Sequence, residues 1–413
     1  MNLTSRIANN ISVLMDQAHI TQNELADCLG LSRQTVSKYL KGSSSLDVAQ
    51  LEKIARIFRV PVESLFQETS DHGAKICYRF TMNECSVSDN IRDTLIQYVE
   101  RFNILSASTG DCSLFVPEHY ELFAKMKGKR VSINRELEYI INDSDEVDSY
   151  VDAQILSIAD EQRKKMELKD SGAIALIPAL FKIGIRVVFL DFGTSDISGA
   201  SICDKMYGCF IFVNDNNSLT IERQLFTIAH ELGHILLHRP LYSYYSGDIS
   251  SNSFSKYLNS MANKFAARLL CPPALLDQYR DELKKARNDL LQILPIAVKI
   301  KHAAQLSLQS VMASLRDNGY ISKPVLDAFF DSIKNANLLS IEPFPILDEK
   351  SIREQFFSQK SYYITDLIVK CFFYRILREE DISVLFHCSV DEAHQYYLNI
   401  VEEGKKITSL LNS

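Results

Sequence analysis

Three residues of this chain have the types and spacing of a reactive centre: His230, Glu231 and His234, in the run Ala229-His230-Glu231-Leu232-Gly233-His234. Two histidines four apart on a helix lie one turn above each other, so both imidazoles can reach one ion while the glutamate between them sits beside it. Zinc accepts neutral imidazole nitrogen and lowers the pKa of a bound water towards neutrality, and Glu231 is placed to take that water's proton. The set is incomplete, because a catalytic zinc needs three protein ligands and an open position and this run supplies two. His238 follows on nearly the same face, but a further turn adds roughly 5.4 Å along the axis, out of reach of an ion held by the first pair. The helix expected over 228–237 is apolar on both sides of the motif, with Leu225, Phe226 and Ile228 before it and Ile235, Leu236 and Leu237 after it. Such a helix is suited to burial, and a buried histidine or glutamate needs a ligand or a hydrogen bond to hold it there.

The flanks carry a resemblance. The run Arg223-Gln224-Leu225-Phe226-Thr227-Ile228-Ala229-His230-Glu231-Leu232-Gly233-His234 is preceded by Phe210-Ile211-Phe212-Val213-Asn214 and followed by Ala262-Asn263-Lys264-Phe265-Ala266-Ala267. With Ser198-Gly199-Ala200 upstream, these blocks resemble, over about residues 144–320, the ImmA/IrrE family of zinc peptidases. The resemblance implies His230 and His234 as metal ligands and Glu231 as catalytic base. It also implies a third ligand, a glutamate directly before the Ala-Asn pair of the second helix, where this chain has Met261. A thioether is a soft, weak partner for zinc, and neither Asn259 nor Asn263 offers a charged oxygen. The nearest acids are Asp248 and Asp277. Three readings follow: an inactive relative that keeps the fold, a site completed by Asp248 or by a partner, and an active zinc metallopeptidase with unusual ligation. The first two are preferred.

A second set of residues suits nucleic acid. Residues 1–66 read as five short helices, with Thr21 capping 22–29, Gly30 closing that helix and Ser32 capping 33–40. A helix, a tight glycine turn and a second helix make a helix-turn-helix unit. The order Thr21-Gln22-Asn23-Glu24-Leu25-Ala26, then Leu29-Gly30-Leu31-Ser32-Arg33-Gln34-Thr35-Val36-Ser37-Lys38-Tyr39-Leu40-Lys41-Gly42, resembles the Cro/lambda-repressor (Xre) DNA-binding domain. In such a domain the second helix enters the major groove, where glutamine pairs with adenine and arginine with guanine. Arg33, Gln34, Thr35 and Lys38 are the expected readers, with Ser37 on the same helix. Gln22, Lys41 and Ser43 are expected to hold phosphates. Basic side chains barely outnumber acidic ones here, and a protein-binding helix-turn-helix is the plainer alternative.

The elements that must position these groups follow from pattern. With 413 residues and 46% hydrophobic content the chain has room for several cored domains. We expect an α+β, mainly helical protein: a helix-turn-helix domain over 1–68, an α/β module of unassigned role over 69–143, a zincin-like peptidase domain over 144–322 and a helical interaction domain over 323–413. Helices are expected at about 91–102, 115–126, 146–168 and 177–183, strands at about 76–81, 186–190 and 208–214, a loop at 106–110 and a turn at 379–383. The nine cysteines lack Cys-x-x-Cys pairing and suit a reducing compartment, with Cys203 and Cys209 read as structural thiols. No stretch reads as a membrane span or signal peptide, so a cytoplasmic location is expected. The net charge of −7 leaves any DNA contact to a local surface. His387, Cys388 and His394 lie close in sequence without a second ligand cluster, and the acids around them would repel phosphate.

Together these features point to a sequence-specific DNA-binding regulator, a homodimer on duplex operator DNA, governed by a peptidase-like body with zinc held weakly or not at all. The alternatives are a zinc endopeptidase that cleaves a helix-turn-helix repressor or itself, and an antitoxin that neutralises a toxin by protein contact through the C-terminal helices.

Overall fold

In a computed structural model, described over residues 3–17, 21–42, 44, 46–58, 65, 78–82, 89–110, 117, 129–134, 137–141, 149–168, 172–204, 207–239, 252–335, 342–346 and 350–411, the chain forms two units, Met1–Ile76 and Cys77–Ser413. The first holds α1 (Leu3–Gln17), α2 (Gln22–Leu29), α3 (Arg33–Leu40) and α4 (Val48–Phe58). Apolar residues at helical spacing, among them Ile7, Ile11, Leu25, Val36, Leu51 and Ile54, close a small core. Gly30 takes a left-handed φ of +69°, which lets Leu31 N–H donate to the Ala26 carbonyl at 2.9 Å and turns the chain from α2 into α3. Asp47 and Gln50 cap α4 reciprocally, at 2.7 and 3.0 Å. The fifth helix expected from Val62 lies outside the described residues, except Leu65, whose carbonyl accepts from the buried Asn10 amide at 3.0 Å.

The second unit runs β1 (Tyr78–Met82), α5 (Asp89–Ser108), β2 (Lys129–Asn134), β3 (Leu137–Ile141), α6 (Ser149–Lys165), α7 (Leu176–Lys182), β4 (Ile185–Leu190), β5 (Ile197–Asp204), β6 (Gly208–Asn214) and α8 (Ile221–Leu237). After these come α9 (Asn252–Leu270), α10 (Pro273–Asp277), α11 (Arg280–Lys285), α12 (Leu290–Ala304), α13 (Leu308–Asp317), α14 (Lys323–Asn335), α15 (Lys350–Phe373), α16 (Glu379–Phe386) and α17 (Val390–Leu411). One sheet is ordered β1-β5-β6-β4, with β4 parallel to β6 and the other pairs antiparallel; β2 and β3 form a separate hairpin. No helix among the described residues is long and apolar enough to cross a membrane.

Both faces of this sheet are covered, which is why β6 is buried at every position instead of alternating. Phe210 and Phe212 meet Tyr98 and Phe102 of α5 edge to face. Ile211 and Val213, on the opposite face, share the main core with Leu225, Ile228 and Leu232 of α8. Next to α8 lies α9, which is locked to α6 by a bidentate Arg268–Asp160 pair at 2.7 and 2.8 Å and by a Lys264–Asp152 ion pair. At the start of α8, Glu222 meets the buried ammonium of Lys301 at 2.7 Å, and Glu342 meets the same ammonium at 3.0 Å.

Several expectations change here. The segment read as a separate module over 69–143 supplies β1 to the sheet and α5 to its face, and Phe329, Ile346 and Phe356 of the C-terminal part enter the main core. Pattern along one segment is blind to such long-range burial. The expected loop at 106–110 is the last turn of α5 and its exit. The expected turn at 379–383 lies within α16, whose Asp381 carboxylate accepts from the Arg378 backbone N–H at 2.8 Å and pairs with Arg101 at 3.1 Å. The helix expected over 115–126 lies outside the described residues apart from Pro117. Cys203 and Cys209, read as structural, are buried and stand opposite each other on the β5–β6 ladder.

Candidate functional site

The motif helix α8 starts seven residues before the apolar run that announced it, because Thr220 caps it: its Oγ1 accepts from the Arg223 N–H at 3.3 Å. This gives α8 two full turns ahead of the motif and fixes which face meets the sheet. His230 is 4% exposed, while Glu231, His234 and His238 are fully buried. Buried groups of this kind require partners, and each has one. His230 Nδ1 lies 2.8 Å from Asn263 Oδ1 on α9, and His234 Nδ1 lies 2.7 Å from His238 Nδ1. Ser201 on β5 donates from Oγ to Glu231 Oε2 at 2.7 Å.

The two remaining imidazole nitrogens converge, with His230 Nε2 and His234 Nε2 3.0 Å apart. Two nitrogens each about 2.0–2.1 Å from a tetrahedral ion lie roughly 3.3 Å from each other, so this pair is set close to the spacing a zinc requires. Asn263 Oδ1 as acceptor places the His230 proton on Nδ1 and leaves the Nε2 lone pair directed at His234. A proton on His234 Nε2 then closes the pair as a hydrogen bond, and the His238 Nδ1 proton is donated to His234 Nδ1. With both Nε2 lone pairs free, the same chain runs in reverse and His234 donates to His238. His238, excluded as a ligand by its extra turn, is therefore the group that sets the tautomer of His234.

Closeness between helix and neighbours is enforced by two glycines. A Cβ on Gly199 of β5 would meet Thr227 Cγ2 at 2.5 Å and the Phe212 carbonyl at 2.8 Å. A Cβ on Gly233 would meet Phe265 at 3.1 Å and Ala262 Cα at 3.3 Å. The first brings β5 near enough for Ser201 to reach Glu231; the second brings α9 near enough for Asn263 to reach His230.

The donor set stops at two. Met261 is buried at 1% exposure in the apolar core shared by α8 and α9. Among the described residues no group of three histidine, cysteine or carboxylate side chains gathers to hold a metal ion. Asp248 lies outside the described residues, and Asp277 is engaged by Arg280 and Tyr320. Two imidazoles and a thioether do not meet the needs of a catalytic zinc. His394 Nδ1 lies 2.9 Å from Glu379 Oε1, and among the described residues it forms no metal-holding group with His387 and Cys388.

On α3, Val36 and Tyr39 face the small core, which leaves Arg33, Gln34 and Lys38 exposed on the outer side and Ser37 half-buried between them. Ser32 caps this helix, accepting from Thr35 N–H at 3.2 Å, and its hydroxyl lies 2.8 Å from Thr35 Oγ1. Thr35 is thus half-occupied with the cap. Lys41, just past the helix, is exposed; Gln22 is half-buried at the start of α2; Ser43 lies outside the described residues.

Comparison with known families assigns both regions. Residues 11–65 match the helix-turn-helix family, and residues 182–315 match the IrrE N-terminal-like domain of peptidases. The two matches cover separate stretches of the chain, one on each side of the boundary between its two units. No curated protein matches it. The two orienting contacts made by Asn263 and Ser201 were not legible from motif spacing: Asn263 stood in a recognised block as a non-ligand, and Ser201 has no motif of its own. The signal available for Ser201 was its place two residues beyond Gly199 on a strand, which puts both on one face.

Proposed function

We propose that this chain is a sequence-specific DNA-binding transcriptional regulator whose helix-turn-helix head is controlled through a peptidase-like domain that binds instead of cutting. The observation that carries the reading is the pairing of a complete orienting shell, Asn263, His238 and Ser201, with a third-ligand position filled by buried Met261. A scaffold kept in this state retains shape and lacks the carboxylate that zinc chemistry needs. In the head, Arg33, Gln34 and Lys38 supply donors of the kind that read guanine and adenine edges, with Lys41 and Gln22 suited to phosphate. The chain acts as a homodimer on a two-fold operator, and its body receives a protein partner, a repressor or a toxin.

The test is titration of the purified full chain against duplex DNA from around its own gene, with zinc content measured on the same sample. Saturable binding with sub-stoichiometric zinc is the expected result. Metal at one ion per chain that is lost on His230→Ala, together with zinc-dependent cleavage of a helix-turn-helix repressor, would establish the second reading, an endopeptidase with Glu231 as base. The 3.0 Å convergence of the two Nε2 atoms is what keeps that reading in play.

A further inference from the structure

The sheet beside the motif is assembled from two sources. β4, β5 and β6 lie inside the stretch 182–315 that matches the peptidase domain, whereas β1 comes from well before it. In the order β1-β5-β6-β4 the matched strands alone would leave β5 as an edge, and β1 is what covers it. An edge strand offers a row of backbone N–H and C=O groups to any extended chain. Here the cover is slight. β1 has five residues, its register shifts between Thr81 and Met82, and it stands last in the strand order. It also follows directly on the head: the first unit ends at Ile76 and the strand begins at Tyr78.

The covered edge is one strand from the motif. A Cβ on Gly199 would meet Thr227 Cγ2 at 2.5 Å, and Ser201 donates to Glu231 at 2.7 Å, so Gly199 and Ser201 mark the face of β5 turned to α8. Opposed residues of an antiparallel pair share a face. By register, Thr81 and Arg79, opposite Gly199 and Ser201, take positions on that α8 face. Tyr78 and Phe80 stand opposite Ile202 and Ala200, which in turn oppose Phe210 and Phe212, the pair that α5 covers with Tyr98 and Phe102. A strand in this place is therefore read at two parities, with aromatic or apolar residues suited to the α5 side and polar ones to the motif side.

We propose that the β5 edge is a docking site for an extended peptide of a protein partner, aromatic or apolar at alternate positions, and that β1 is its intramolecular occupant, displaced when that peptide adds to the sheet. Main-chain ladder bonds supply the affinity and the alternate side chains the selectivity. Tethering gives β1 a high effective concentration at the edge, so a free peptide competes at a disadvantage until β1 is weakened. Displacement returns Tyr78–Met82 to the connection between the head and α5, which is how occupancy of the body reaches the head. The inference rests on the reading of the body as the receiver of a protein partner, and it holds whether that partner is bound or cut.

Amide hydrogen exchange on the full chain, with a labelled peptide of residues 78–84 as the probe, tests this. Alternate residues of a strand bond to a given neighbour, so in an Arg79→Pro/Phe80→Pro chain one of the two prolines must fall on a ladder position. Amides over 199–202 should then exchange about tenfold faster, while those over 210–213 in β6 keep wild-type protection. The peptide should bind this variant saturably, restore the protection of β5, and bind the wild type about tenfold more weakly. In wild-type chain saturated with peptide, β1 amides should lose protection and β5 amides keep theirs. A peptide of the same composition with its alternation scrambled should bind neither chain. Unchanged β5 exchange in the variant, loss of β6 protection along with β5, equal affinity of the two chains for the peptide, or equal binding of the scrambled one would each overturn the proposal. The assay contains neither DNA nor metal. A chain that ignores its operator but takes the peptide therefore loses only the regulator reading, and the reverse result loses only the docking edge.

Discussion

Two helices of this chain carry its candidate functional side chains, and they do so in opposite ways. On α3 the polar residues Arg33, Gln34 and Lys38 stand in solvent, while Val36 and Tyr39 are buried and Leu40 packs against the small core. On α8 nearly every residue is buried, and His230, Glu231 and His234 are each held by a protein partner. A helix that reads DNA keeps its donors in solvent, because base edges must satisfy them on contact. A helix that holds a reactive centre commits every atom that the reaction does not need, since a buried polar group without a partner costs about 1–3 kcal/mol. On the proposed reading the same residue classes have different thermodynamic duties: on α3 they serve binding and add little to stability, and on α8 the order is reversed.

The contrast is most exposed at the start of α8. Lys301 is fully buried between Glu222 and Glu342, and Glu222 also accepts from the Ile346 N–H at 2.9 Å. Lys301→Met leaves two carboxylates in the core without their cation, which should lower unfolding free energy by about 3–5 kcal/mol. Burial already holds the Glu342 carboxyl above its ordinary value, against the pull of the Leu308 N–H and Lys301. A carboxyl raised on folding contributes stability below its unfolded value, and that contribution disappears as pH rises through the folded value. Without Lys301 the loss deepens, so the gap between variant and wild type in urea midpoints should be wider at about pH 7 than at about pH 4.5. A gap independent of pH would show that the triad is not the source.

Ser201→Ala comes next. It removes the hydroxyl that donates to fully buried Glu231. The expected cost is about 1–3 kcal/mol by urea unfolding. A loss under about 0.5 kcal/mol would mean that Glu231 is satisfied without the strand, and that the commitment argued for α8 does not extend to its glutamate.

How much of this could be read from the chain alone divides along the same line. The α3 cap at Ser32, the glycine turn at Gly30 and the strand over 208–214 were legible, since local propensity and pattern fix them. So were His230, Glu231 and His234, whose spacing is a property of one helix. What was not legible depends on residues far apart in sequence. The pairing of β1 with β5, the seating of α5 on Phe210 and Phe212, the Asn263 and Ser201 contacts, and the Lys301 triad all join segments that carry no mutual signal. The start of α8 was misplaced for a related reason. Ile221 and Glu222 look amphipathic in isolation, and only burial of Glu222 against Lys301 shows that the helix already faces inward there.

The smallest expected effects lie on α3. Ser32→Ala removes the hydroxyl that accepts from the Thr35 N–H and should cost about 1 kcal/mol in the stability of the first unit. Gln34→Ala, at an exposed position of α3, should leave that stability unchanged within about 0.5 kcal/mol. Yet it should weaken binding to the preferred duplex by about 1–3 kcal/mol and flatten the preference among sequences. Fluorescence anisotropy on labelled duplexes, beside thermal melts of the same proteins, separates the two effects. If Gln34→Ala destabilised the fold as much as Ser32→Ala while leaving DNA affinity intact, the division between a displayed helix and a committed one would fail on its simpler side.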